Sequence, residues 1–120
     1  MLQSKHPLNK APAHADLRFV RQVSQLVSRR AAAYLATAIH GLWSLRTSAE
    51  GLSPASAGHL TIGCSGSVIE KYPSFKTLCQ TYLDELTALS GAEPHSVVLE
   101  TAVESAIFGA AVAVCCIEED

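Results

Sequence analysis

The stretch from Leu60 to Phe75, L-T-I-G-C-S-G-S-V-I-E-K-Y-P-S-F, places the tightest limits on how this chain can fold. Leu60 to Cys64 reads as a short apolar strand. Ser65-Gly66-Ser67 reads as a tight turn, because glycine takes positive φ at little cost and serine is an ordinary turn residue. Val68 to Glu70 then reads as the return strand, so that His59 to Glu70 forms a β-hairpin. Pro73 suits the first turn of a following helix. The same turn also has a chemical reading. Its consecutive backbone N–H groups make a concavity for an anion, Gly66 lets backbone approach a ligand, and Ser67 adds a hydroxyl. A plain hairpin turn accounts for the same residues.

Upstream, Asp16 is placed to cap a helix running to about Ser44. Its apolar residues Leu17, Val20, Val23, Leu26, Val27, Ala31, Tyr34, Leu35, Ala38, Ile39 and Leu42 recur at helical spacing, which predicts the buried face. Small residues between Ala31 and Ala38 allow another element to come close. The Arg29-Arg30 pair suits a solvated helix face or a phosphate, and Trp43 suits packing. Residues 46–58, rich in Ser, Gly and Pro, read as a loop.

Downstream, a second helix is expected from Pro73 to about Leu89. Phe75, Leu78, Cys79, Tyr82, Leu83, Leu86 and Leu89 lie on one face, Asp84 and Glu85 face water, and Gly91 ends the helix. Ser96 to Glu100 reads as a strand. Ala106 to Cys116 reads as an apolar, buried helix. Gly109-Ala110-Ala111 serves equally for close packing or for approach to a nucleotide.

A length of 120 residues predicts one domain. With 48% apolar and 17% charged residues the chain is not disordered as a whole. Residues 1–15, with Pro7 and Pro12 and no periodicity, are expected to be a disordered lead-in, and Glu118-Glu119-Asp120 a solvated tail. A net charge of −2 offers no basic field for nucleic acid. The longest apolar run, Ala106 to Ile117, is too short to span a bilayer, which needs about 20 residues. Met1 to Lys10 lacks the apolar core of a signal peptide. Cys64, Cys79, Cys115 and Cys116 form no C-x-x-C pair and are expected to be buried reduced thiols, which implies a cytoplasmic setting. The histidines show no metal spacing.

Three sets of residues together resemble the C-terminal part of eukaryotic hexokinases, with the fungal and hexokinase-like proteins the nearest in pattern. Gly63-Cys64-Ser65-Gly66-Ser67-Val68 followed by Tyr72-Pro73-Ser74-Phe75 resembles the family's G-x-D-G-S/T turn and Tyr/His-Pro-x-Phe helix start. Val27 to Ala32 resembles its long helix with an R-A-A motif. Val97 to Glu100, then Gly109-Ala110-Ala111, resembles its adenosine-motif strand and helix. The resemblance covers roughly Asp16 to Ile117, which makes residues 16–117 a partial hexokinase C-terminal domain.

The resemblance implies an α/β chain. It would be the C-terminal part of the large lobe of an actin-like ATPase built on a ribonuclease-H-like fold: long helix, β-hairpin, helix, strand, helix. It implies ATP with Mg as cofactor and a nucleotide and a hexose as partners, with no role for nucleic acid or membrane. Carried over by position, the ATP-site residues are Ser65, Gly66, Ser67, Val68, Glu104 and Gly109. Ser65 stands where the family has Asp, and Ala106 and Ile107 depart from its D-G-S-G-x-G-A-A motif. The D-x-G-G-T-N phosphate motif, the sugar-binding segment and the general base are not in these residues. Phosphoryl transfer depends on several positioned parts, so the chain alone is expected to be inactive. The alternative is a non-catalytic, regulatory hexokinase-like protein. Exposed apolar helix faces would favour self-association.

Overall fold

The computed structural model describes residue 11 and residues 13–117. Most of the expected disordered lead-in (Met1–Lys10 and Pro12) and the acidic tail Glu118–Asp120 lie outside the described residues.

Helix α1 spans His14–Ala49. It starts two residues before Asp16, which sits inside the first turn and accepts the Ala13 N–H at 3.0 Å. A carboxylate there also complements the helix dipole. The helix passes Ser44 and takes up the first residues of the expected loop. It stops at Gly51, whose φ of 69° only glycine adopts cheaply. Gly51 N–H bonds Ser48 O at 3.1 Å and Leu52 N–H bonds Thr47 O at 3.0 Å, a Schellman ending.

The face that α1 buries is not the one its long apolar residues predict. Ala32, Ala36, Trp43 and Thr47 are buried, with Ser28, Leu35 and Ile39 half-buried beside them. Leu17, Val20, Val23, Leu26, Val27, Tyr34 and Leu42 are 42–68% exposed. Alanine wins because it brings helix axes close, and an entire neighbouring helix then excludes water.

Strand β1, Leu60–Cys64, has the expected bounds, but the hairpin is absent. Ser67–Lys71 is a short helix, α2, closed by Glu70 N–H on Gly66 O at 3.0 Å. The neighbour of β1 is instead strand β2, Val97–Thr101, in parallel register from Leu60↔Val97 to Cys64↔Thr101. Local alternation in Val68-Ile69-Glu70 suggests a return strand, but after Gly66 the backbone N–H groups of Glu70 and Tyr72 bond back to Gly66 O and Val68 O, which closes helical turns instead. Here β2 occupies one edge of β1 from far along the chain.

Helix α3, Phe75–Leu89, fills the crossover. Pro73 lies before it rather than in its first turn, and Ser74 enters with φ 62°. Its predicted face holds for Phe75, Cys79 and Leu83, all buried, whereas Leu89 is 86% exposed past the edge of the contact. Gly91, at φ 87°, ends it in a second Schellman motif, with Ala92 N–H on Thr87 O at 3.0 Å. Glu85 faces water as expected. Asp84 is half-buried and lies 3.3 Å from His95 Nδ1.

The core therefore has three layers: Ala32, Ala36 and Trp43 of α1, then Phe75, Cys79 and Leu83 of α3, then Cys64, Val97 and Leu99 of the sheet. Helix α4, Ser105–Cys115, buries none of its residues, contrary to the expected buried helix. Cys115 and Cys116 are exposed with it; only Cys64 and Cys79 are buried. The chain is thus α/β, with a two-stranded parallel sheet. No helix among the described residues is long and apolar enough to cross a membrane.

Candidate nucleotide-facing site

Parallel strands present the turns after their carboxyl ends on one side of the sheet, where open α/β sheets bind ligands. Here β1 ends at Cys64 and runs into Ser65-Gly66-Ser67, while β2 ends at Thr101 and runs into Ala102 to Glu104. The sheet extends one bond further, with Ala102 N–H on Cys64 O at 2.8 Å. This bond holds the two turns side by side. Gly63 lies so close to the second turn that an added Cβ would stand 3.4 Å from Ala102 Cβ.

Gly66 takes φ 127° and ψ 146°, a conformation closed to other residues at low cost, and nothing lies within 4 Å of where its Cβ would be. The turn thus keeps open space in front of its backbone. Two grooves of about 610 Å³ each flank it. One is lined by Ser65, Gly66, Ser67 and Val68 together with Leu35 and Ile39 of α1. The other is lined by Ser65, Lys71, Glu104, Ser105, Ala106 and Ile107. Ser65 belongs to both.

Of the six positions read from the sequence, the structure brings together Ser65, Gly66, Ser67 and Val68 and sets Glu104 opposite Ser65. Gly109 lines neither groove. Glu104 itself is held at φ 50°, where its backbone carbonyl accepts the N–H groups of Ile107 and Phe108 at 3.1 Å and starts α4. Two cations near these turns escaped the sequence reading. Lys71 lines the second groove, and Lys76 donates to Thr101 Oγ1 at 3.1 Å. Lys71 lies one residue past the expected hairpin, and the helical turn of α2 carries it to the groove.

Buried thiols lie behind this edge. Burial pushes the Cys64 thiol up, against the opposing pull of the Lys76 ammonium. Cys79 is pushed up to about 11, first by burial and then by its proximity to Cys64. Both are therefore neutral packing groups near pH 7 rather than nucleophiles.

The donor set of the turn is backbone and hydroxyl. Gly66 offers open backbone, and Ser65 and Ser67 offer hydroxyls. For Mg, Ser65 brings no carboxylate, and no group of three or more His, Cys, Asp or Glu among the described residues could hold a metal ion. The turn offers backbone N–H groups and the Ser65 and Ser67 hydroxyls, and the groove beside it adds the carboxylates of Glu70 and Glu104 and the Lys71 ammonium.

No curated protein and no solved structure matches the chain. The family model described as Hexokinase matches residues 1–116, starting upstream of Asp16, where the motif resemblance begins. That match spans nearly the whole sequence, and the chain belongs to the hexokinase family.

Proposed function

We propose that these residues serve an ATP:hexose phosphotransferase of the hexokinase family as the C-terminal part of its actin-like large lobe. In this role they supply part of the ATP site. The observation that carries the reading is the pairing of Ser65-Gly66-Ser67 with Glu104 across the carboxyl edge of a parallel sheet. Gly66 and Ser67 cradle phosphate oxygens through backbone N–H and hydroxyl. Val68 closes the turn and Glu104 borders the groove on the way to the ribose and base, while Gly109 is carried over by sequence position alone. When bound, ATP supplies the transferred phosphoryl group. The residues that hold Mg, bind the hexose and deprotonate its hydroxyl belong elsewhere in such an enzyme.

A regulatory, non-catalytic reading is favoured by a different observation. Ile107 lines the groove beside Ser65 and Glu104 where the family has glycine, and it is 67% exposed. A β-branched side chain there narrows the nucleotide path, and Ala106 lacks a hydroxyl, a loss worth about 0.5–1.5 kcal/mol.

Calorimetric titration of the 120-residue chain with ATP separates the two readings. Millimolar binding that Gly66→Val abolishes supports the half-site. A folded chain that does not bind, but gains binding with Ile107→Gly, supports the regulatory reading. A folded chain on which neither protein binds ATP sinks the nucleotide assignment.

A further inference from the structure

The helix divides the Arg29-Arg30 pair. Successive helical residues point about 100° apart, so the two guanidinium groups meet different surroundings. Arg30 lies over the Tyr34 ring, 5.3 Å from its centroid. Arg29 instead lines a groove of about 660 Å³ between α1 and residues 72–81, where α3 begins. Arg21 lines the same groove two turns earlier, and Gln25 lies midway. The two arginines are rooted about 12 Å apart along the helix axis, so their long side chains can close on one ligand from either side.

Neither arginine is neutralised. The ion pairs among the described residues are Arg46 with Glu50 and His95 with Asp84. No acidic residue lines the groove. One wall therefore carries two uncompensated positive charges. A helix face that merely meets solvent has nothing opposite it, whereas here a second wall stands across the groove.

That second wall is largely apolar. Phe75 is buried, Leu78 is half-buried, and Pro73 lies beside them. Ser74 adds a hydroxyl that makes no capping bond to α3. The serines on the α1 wall are already committed as donors, Ser24 to Val20 O at 2.8 Å and Ser28 to Ser24 O at 3.0 Å. The donors left for a ligand are thus the two guanidinium groups, the Gln25 amide and the Ser74 hydroxyl.

We propose that this groove binds a small phosphate monoester with an aromatic body. A dianion matches the two free cations, and the guanidinium fork pairs with phosphate oxygens two at a time. The ring lies on Pro73, Phe75 and Leu78, whose apolar surface a bare phosphate leaves in water. The volume is that of an ordinary small-molecule site. The groove shares Phe75 alone with the grooves that flank Ser65-Gly66-Ser67, so the site stands whether or not ATP binds at that turn.

The test is titration of the 120-residue chain with phenyl phosphate, read as amide chemical shifts. The expected result is millimolar binding with shifts concentrated in residues 21–29 and 72–81. Arg21→Gln and Arg29→Gln keep helix propensity and should each weaken binding at least about threefold, the loss expected of one exposed charge contact. Arg30→Gln should leave the affinity unchanged, and so should Gly66→Val. Inorganic phosphate should bind at the same residues at least about threefold more weakly, because it leaves the apolar wall uncovered. A folded chain with no shifts in residues 21–29 at millimolar phenyl phosphate overturns the site. Equal losses in Arg29→Gln and Arg30→Gln also overturn it, since they mean diffuse attraction to a basic helix. Equal affinity for inorganic phosphate overturns the aromatic body. Binding that Gly66→Val abolishes overturns the location, placing the ligand at the turn instead.

Discussion

At the scale of single residues, two glycines with the same local sequence value play opposite parts. Gly66 has φ 127°, so Gly66→Ala strains the backbone and costs on the order of 1–3 kcal/mol. Gly41 lies inside α1 with nothing within 4 Å of its missing Cβ, so Gly41→Ala stabilises by about 0.5–1 kcal/mol. Urea midpoints of the two variants should move in opposite directions. Cys79 offers a pH-dependent check. Its folded-state value is raised from 9.0 to about 11, so the neutral thiol is the form that folding favours. That contribution is fully present below about pH 9 and is lost as pH rises toward 11. The stability difference between the chain and Cys79→Ala should therefore be flat from pH 7 to 8.5 and shrink above it. A difference that grows at alkaline pH would contradict the assigned environment.

At the scale of elements, α1 divides into two halves. From Ala32 to Thr47 it packs on α3, whereas residues 14–27 are exposed throughout. An unpacked helical segment is held only by propensity and its own hydrogen bonds. Amide exchange should therefore be fast in residues 18–27 and slow in residues 36–47. Uniform protection along α1 would mean that the first half packs on something in solution. Helix α3 is the element that joins the layers, and Leu83 at its centre has no exposed surface. Leu83→Ala should cost about 2–5 kcal/mol, enough to abolish cooperative unfolding in a small core. A cooperative melt that survives unchanged would show that the sheet and α1 associate without α3.

For the molecule as a whole, the described layers do not cover their own apolar surface. The Cα radius of gyration is 20.3 Å, against about 14 Å for a compact domain of this length. Phe108, Val112, Val114 and Ile117 on and after α4 are 62–70% exposed, and α1 adds a second exposed stripe. Surfaces of this kind associate. Size-exclusion chromatography with light scattering should show mass rising with concentration, and Phe108→Lys with Val112→Lys should reduce it. A monomer at all concentrations would require α4 to fold back over apolar surface.

What the sequence determined by itself is the inventory. Periodicity and turn chemistry located the long helix, the strand Leu60–Cys64, the helix ending at Leu89 with Gly91 beyond it, the strand near Val97 and the apolar helix near Gly109. The quoted motifs identified the family. These are legible because each depends on neighbours within a few residues. The tertiary structure decided everything that depends on a distant partner. That β1 pairs with β2 across a crossover, and not with Val68-Ile69, is a pairing between residues more than 30 apart. Which face of α1 was buried turned on the closeness that Ala32 and Ala36 allow rather than on the size of Leu26 or Tyr34. The bonds of the Gln80 amide to Val97 O and Leu99 N–H and the meeting of Ser65 with Glu104 also lie beyond local reading. Hydrogen-bond partners tens of residues apart leave no periodic trace, and only the register of two parallel strands brings them together.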